Sequence, residues 1–195
     1  MARDRSTSSH PLARFVAEFA PLTNGPEDRL VAEGSILLGE LVAEDGWLAD
    51  EHAAVDPDRY RQFLLYRDAA TRFCVVSFVW GPGHRSPIHD HCTWGLIGVL
   101  RGAEISTRFE AGPDGLVPSG PDDRLERGQV DAVSPTLGDI HLVANALPDS
   151  PSISIHVYGG DIGTRQRHTF RLDGTATPFV SPYAIPVPDG PYSTA

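Results

Sequence analysis

Disulfides cannot frame this chain. It has two cysteines, Cys74 and Cys92, in 195 residues, which is too few for a cross-linked scaffold and suits a reducing compartment. No apolar run reaches the length needed to cross a bilayer, so no membrane partner is expected. The N-terminal MARDRSTSSH carries two arginines with no apolar stretch behind them. No secretory signal is expected there, and a cytoplasmic location is. Positive charge is also scarce: 16 Lys and Arg face 26 Asp and Glu, a net charge of −10. That balance argues against a nucleic-acid partner, which needs clustered basic residues. Internal repeats and low-complexity tracts are missing too.

What is present fits one domain with a real core. The hydrophobic fraction is 41% and the charged fraction 22%, both ordinary for a globular chain. Seventeen prolines and nineteen glycines favour many turns, as in a mainly β fold. Residues 1–10 read as a frayed tail. Leu12, Phe15, Val16 and Phe19 recur at helical spacing and predict a first helix. Pro26-Glu27-Asp28 opens a second, with Leu30, Val31, Ile36, Leu37, Leu41 and Val42 as its apolar stripe. A third is expected from Asp56-Pro57 through Tyr60, Phe63, Leu64 and Leu65. From Arg72 the chain turns β-branched and aromatic. Strands are expected over 73–80, 95–100, 103–110, 140–144, 152–158 and 168–172, with turn clusters at 111–123 and 145–151. Residues 1–70 are therefore read as a helical segment of the same domain. Residues 71–195 are read as a β-barrel with an extended C-terminal tail from Gly174.

Two short segments carry the chemistry. In Ile88-His89-Asp90-His91-Cys92, strand alternation sets His89 and His91 on one face and Asp90 and Cys92 on the other. Two imidazoles so placed can share a metal. His141, in GDIHLVAN, is the natural third ligand. Nitrogen ligands with open positions suit Fe(II), although Zn, Ni and Cu also take imidazole. The spacing resembles the cupin superfamily. Gly83, five residues, His89-Asp90-His91 and then Gly102 follow its first motif, with Gly95 where a ligating Glu is expected. Gly138, His141 and Asn145 follow the second, with Thr136 in place of its proline and Pro135 beside it. The absent Glu leaves three neutral ligands. Trp80 and Trp94 flank the first motif and are candidates to wall the cavity.

A third segment, SISIHVYGG, alternates Ser154, His156 and Tyr158 on one strand face with Ile153, Ile155 and Val157 on the other. Alone, this describes a half-buried strand with its polar side in water as readily as a strand lining a cavity. Taken together, HDHxxWGLIGVLRGAE, GDIHLVAN and ISIHVYG resemble the cysteine dioxygenase family, and within it the bacterial 3-mercaptopropionate dioxygenase branch. The resemblance implies a double-stranded β-helix with helices packed outside, Fe(II) held by His89, His91 and His141, and a Ser154–His156–Tyr158 relay beside it. It implies addition of both atoms of O2 to the sulfur of a small thiol carboxylate, giving a sulfinate.

Two departures from the mammalian-type enzymes point to the branch. Those enzymes bond a Cys to the tyrosine, and here Gly95 takes that place. Cys92, nearby, is expected to be a buried or inert thiol, and Cys74 to be core. Those enzymes also use an Arg where this chain has Gln62, with Arg61 one residue away. Arg167 then matches the branch's carboxylate-binding residue, and a guanidinium can grip a carboxylate through two bonds. A cysteine dioxygenase, a metal-dependent sugar isomerase of the cupin type and a non-catalytic sensor remain as alternatives. The preferred thiol and the oligomeric state are not written in the sequence.

Overall fold

In the computed structural model, residues 10–184 are described. The expected tail over residues 1–9 lies outside them, as does the end of the C-terminal tail. Two helices come first, α1 (Pro11–Phe19) and α2 (Glu27–Ala43). His10 is already structural: its Nδ1 accepts from the Leu12 N–H at 3.3 Å and its Nε2 lies 3.1 Å from the Trp47 carbonyl. Pro11 in the first turn costs nothing, because that N–H has no partner within the helix. Glu27 and Asp28 stand in the first turn of α2, where the helix dipole favours negative charge.

Twelve strands follow: β1 (Arg61–Arg67), β2 (Phe73–Trp80), β3 (Ile88–His89), β4 (Gly95–Arg101), β5 (Ala103–Gly112), β6 (Gly115–Pro118), β7 (Asp123–Glu126), β8 (Val130–Val133), β9 (His141–Asn145), β10 (Ser152–Gly159), β11 (Arg167–Phe170) and β12 (Ala176–Phe179). One sheet runs β1-β2-β10-β4-β8. The other runs β12-β11-β3-β9-β5-β6, with β7 also paired to β5. The pairs are antiparallel. The two sheets form a double-stranded β-helix, mainly β, with the N-terminal helices packed outside.

The expected third helix does not form. Residues 61–67 are strand β1, the edge of the first sheet. The reason is burial on both faces. Phe63 and Leu65 join the core under the helices, whereas Leu64 points into the barrel beside Val76, Phe78 and Tyr158. A strand buried on both sides loses its alternation and reads as a plain apolar run, which sequence alone cannot separate from a helix. The segment read as helical over residues 1–70 thus contributes a strand to the barrel.

The first sheet separates two cores. On β2, Phe73, Val75 and Val79 face the helices, and Cys74, Val76, Phe78 and Trp80 face the barrel interior. On β10, Ile153, Ile155 and Val157 join the helix side. Its polar alternates must then lie inside the barrel, and Ser154, His156 and Tyr158 are all buried. Helix α2 sits close on β4: a Cβ at Gly98 would come within 3.0 Å of the Leu38 side chain. The β4–β5 turn needs Gly102, which has φ +73° and lies against the Pro151 carbonyl. The turn cluster expected at 111–123 instead holds β6 and the start of β7, and β8 and β12 also add to the expected strands. The C-terminal segment pairs as β12 with β11 and then crosses to β1, where the Ala184 N–H donates to the Gln62 carbonyl at 2.8 Å.

Candidate metal centre and its pocket

His89 and His141 stand directly opposite each other on β3 and β9. His91 lies just past the end of β3, and the chain there leaves strand geometry, with Cys92 at φ +54°. What turns His91 inward is Asp139. Its carboxylate accepts from the His91 N–H at 3.0 Å and from the Cys92 N–H at 2.8 Å, and it holds the His91 ring at 2.9 Å. The three ring centroids lie 4.8 to 5.0 Å apart, and one nitrogen of each comes within 4.8 Å of the others.

Each imidazole is held from outside through Nδ1. His89 Nδ1 lies 3.0 Å from the Pro87 carbonyl, His91 Nδ1 is on Asp139, and His141 Nδ1 lies 3.2 Å from Ser106 Oγ. A carbonyl or carboxylate can only accept, so His89 and His91 carry their protons on Nδ1. Their bare Nε2 lone pairs are then left for the centre, the tautomer a metal needs. His91 Nε2 is buried without a hydrogen-bond partner. Burial, first, and the neighbouring imidazole of His91, second, hold His89 down to about 3. Burial and the imidazoles of His89 and His91 hold His141 well below the ordinary range. Three convergent nitrogens, one of them buried without a partner, could hold a divalent cation.

Asp90 faces the other way, as alternation predicts. It accepts from the His168 N–H and ring on β11, at 2.6 and 2.9 Å. Cys92 is on this outer side and is exposed, so of the expected buried or inert thiol the buried alternative is corrected. The bend at Cys92 that lets Asp139 cap the loop turns this residue out to solvent. Partial burial and the charge of Asp90 push its thiol up. Cys74 is core as expected, its thiol raised to about 11 by burial. The motif residue Asn145 is structural. Its amide donates to the carbonyls of Trp80, Gly81 and Ser150 and ties two loops together.

Beside the histidines runs a buried chain of polar groups along β10. Ser154 Oγ lies 2.8 Å from His156 Nε2, and His156 Nδ1 lies 2.7 Å from the Tyr158 hydroxyl. Phe78 stacks on His156 at 4.2 Å, and Trp80 Nε1–H donates to Ser154 at 3.3 Å. The Tyr158 ring stacks on His91 at 5.3 Å. Burial pushes the phenol above its ordinary range, so it keeps its proton and can donate. Burial also holds His156 well below its ordinary value. Gly95 pairs with Tyr158 across β4 and β10, and a Cβ at Gly95 would lie 2.8 Å from two ring carbons. Position 95 thus lies against the tyrosine ring and offers no side chain to bond to it.

The pocket over the histidines is lined by His89, His141, His156, Tyr158, Arg167 and Gln62, with Trp80 and Tyr60 in its wall. Trp94 packs instead against the core under the helices. Arg167 is 4% exposed, and its guanidinium lies over the Phe179 ring at 4.7 Å. Its Nε has no hydrogen-bond partner, and no ion pair to it is seen among the described residues. A buried cation without a counterion is costly unless a ligand supplies the charge. Gln62 also lines the pocket, but its Nε2 is spent on Ser181 and the Pro182 carbonyl, at 3.0 Å each for Ser181 Oγ and Pro182. That leaves Oε1, buried and unpartnered.

The geometry therefore brings together all eight residues singled out from the sequence. Asp139, Ser106 and Tyr60 were not singled out. Asp139 and Ser106 reach the histidines through turns and register that no local pattern encodes. Tyr60 was hidden in the segment read as helix.

The sequence profile of the cysteine dioxygenase type I family matches residues 41–170. The chain belongs to that family. A cysteine dioxygenase type 1 from Danio rerio is 32% identical over 111 residues, 54% of this chain and 54% of that protein. The chain thus spans about half the length of that relative. Among solved structures, a conserved Klebsiella pneumoniae protein with a double-stranded β-helix domain is 18% identical, covering 71% of this chain and 98% of that one, with a TM-score of 0.47. A cupin superfamily protein of Desulfitobacterium hafniense is 15% identical, covering 55% and 84%, with a TM-score of 0.42. Among the described residues no helix is long and apolar enough to cross a membrane.

Proposed function

We propose that this protein is an Fe(II)-dependent thiol dioxygenase that adds both atoms of O2 to the sulfur of a small thiol carboxylate of the 3-mercaptopropionate type, giving a sulfinate. One observation carries the reading. The cluster of His89, His91 and His141 borders a pocket that also holds a phenol kept protonated and a buried guanidinium without a counterion. Membership of the cysteine dioxygenase type I family supports the reaction class. His89, His91 and His141 are the ligands in this reading. The orphaned His91 Nε2 and the three outward-held Nδ1 atoms fit a metal there. Iron held by these three residues would supply the electron transfer between thiol and dioxygen.

The protein's own groups do the rest. Arg167 grips the substrate carboxylate, and Phe179 behind it keeps the guanidinium flat and oriented. Tyr158 donates a hydrogen bond from its hydroxyl to the reacting end of the substrate. His156 holds the phenol, and Ser154 holds His156. Trp80 and Tyr60 keep the pocket narrow and partly dry, which strengthens these contacts. Arg167→Ala should raise KM by roughly 10- to 100-fold, the worth of a charge-assisted hydrogen bond of about 1.5–3 kcal/mol, with iron content unchanged. Steady-state kinetics beside metal analysis checks it. An unchanged KM would move the carboxylate elsewhere.

One observation favours a second reading, a cysteine dioxygenase. The unpartnered Gln62 Oε1 is an acceptor, which suits the amino group of cysteine and does nothing for a carboxylate. Oxygen uptake by iron-reconstituted protein with 3-mercaptopropionate and L-cysteine in parallel separates the two, with the sulfinate identified by mass. Higher kcat/KM for 3-mercaptopropionate is expected. A preference for cysteine would keep the chemistry and give Gln62 the amine. No uptake with either thiol would refute the dioxygenase reading.

A further inference from the structure

One buried acid beside the β10 chain has no role in the reading above. Glu104 on β5 is 1% exposed, and neither of its carboxyl oxygens makes a hydrogen bond of ordinary geometry. The groups that act on its carboxyl are the hydroxyls of Ser152 and Ser154, both fully buried. Ser152 Oγ is itself without a partner. Buried polar atoms are rarely left so, and a cluster of them next to a functional chain calls for a physical account. Burial pushes the Glu104 carboxyl up to about 8, so at neutral pH it keeps its proton.

Ser154 has one proton to give and two lone pairs to offer. Trp80 Nε1–H uses one lone pair. One donor and one acceptor position remain, and His156 Nε2 takes one of them. We propose that Glu104 is the terminal positioning residue of the Ser154–His156–Tyr158 chain: as a neutral acid it donates to Ser154 and thereby sets the direction of every hydrogen bond beyond it. Ser154 then donates to His156 Nε2. His156, with its single proton on Nδ1, donates to the Tyr158 oxygen. The Tyr158 proton is left free to point into the pocket. An ionised Glu104 reverses the chain. Ser154 donates to the carboxylate, His156 Nε2–H donates to Ser154, and Nδ1 claims the phenol proton. Tyr158 then offers the pocket an acceptor where the reaction needs a donor.

The other titratable groups on the strands packed against Glu104 do not override this. On β10 they are His156 and Tyr158, the chain itself. On β9 the group is His141, which binds Ser106. On β7, Asp123, Arg124 and Glu126 are exposed to solvent. In register, Glu104 faces Asn145 on β9 and Leu125 on β7.

The inference rests on the dioxygenase reading for its catalytic consequence, and its test has one arm that does not. In the protein as purified, infrared difference spectra between wild type and Glu104→Gln should show a protonated-carboxyl band at pH 7. Its absence would overturn the proposal whether or not the protein turns over thiols. In the iron-reconstituted protein, Glu104→Gln, which keeps a neutral donor, should retain kcat within about threefold of wild type. Glu104→Ala should lose about tenfold or more in kcat with KM and iron content little changed, the worth of one aligned hydrogen bond. Wild-type kcat should also fall as pH rises through about 8, while Glu104→Gln should lack that limb. If Gln and Ala behave alike, or if the variant keeps the alkaline limb, Glu104 is packing and nothing more.

Discussion

His141→Ala should leave a folded protein that no longer holds iron. His141 supplies one of three convergent nitrogens, and it is buried, opposite His89 and tied to Ser106. Two remaining imidazoles cannot enclose an ion. The affinity should fall by well over ~100-fold, since losing a mere outer partner of a ligand already costs roughly 10- to 100-fold. Metal analysis after reconstitution and desalting reads this directly, with circular dichroism as the check on folding. Retained iron at one per chain would remove His141 from the ligand set. The same imidazoles set an acid limit. In the unfolded chain a histidine titrates near ~6.5, whereas burial holds His89 down to about 3. Between those values the unfolded chain binds more protons, so stability of the metal-free protein rises with pH there. It is present in full above ~6.5 and lost as pH falls toward 3. A urea midpoint that stays flat across this window would contradict the burial of neutral imidazoles.

Tyr158→Phe should do the opposite to the metal and much the same to the rate. The ring keeps its stack on His91 at 5.3 Å and its place beside Gly95, so iron should stay bound. Only the hydroxyl is lost, and with it the end of the chain that begins at Ser154. A hydrogen bond to a charged partner is worth about 1.5–3 kcal/mol, so kcat should drop roughly 10- to 100-fold with KM changed far less. Stopped-turnover kinetics and iron analysis on one preparation check both halves. If iron leaves with the hydroxyl, Tyr158 belongs to the ligand set. If kcat is untouched, the relay has no part in the reaction.

How far the sequence carried these conclusions depends on the kind of pattern each element leaves. Strands β2 and β10 were legible because they are long and rich in β-branched residues. On β10, alternation sorted Ser154, His156 and Tyr158 onto one face, and only three-dimensional packing could say that this face is the barrel interior. Strand β1 was not legible, since a core on each side removed the alternation that marks a strand. Strands β6, β7 and β8 are four residues each and largely polar or half-buried. They are held by neighbours rather than by local preference. The pairing of His89 with His91 was inferred from strand geometry, yet β3 ends at His89. Their convergence depends on Asp139, fifty residues away from His89 along the chain and invisible to any local rule. On β5 the ordinary expectation is inverted: Glu104 and Ser106 are buried while Ile105 is partly exposed. The barrel interior mixes an apolar cluster with buried polar groups, and on β5 the inward residues are polar, so hydrophobic-in, polar-out reasoning points the wrong way on that strand.

The crossing of the C-terminal segment over β1 has a consequence beyond the pocket. β1 is the outermost strand of its sheet, and an open strand edge invites pairing with another chain. The Ala184 N–H on the Gln62 carbonyl, with the Gln62 amide on Ser181 and Pro182, occupies that edge with the protein's own backbone. Tyr183 pins the crossing from the far side through Asp161 at 2.6 Å. The segment that narrows the way to the histidines is therefore also a guard against aggregation, and a change that loosens it for easier substrate entry would do so at the expense of solubility.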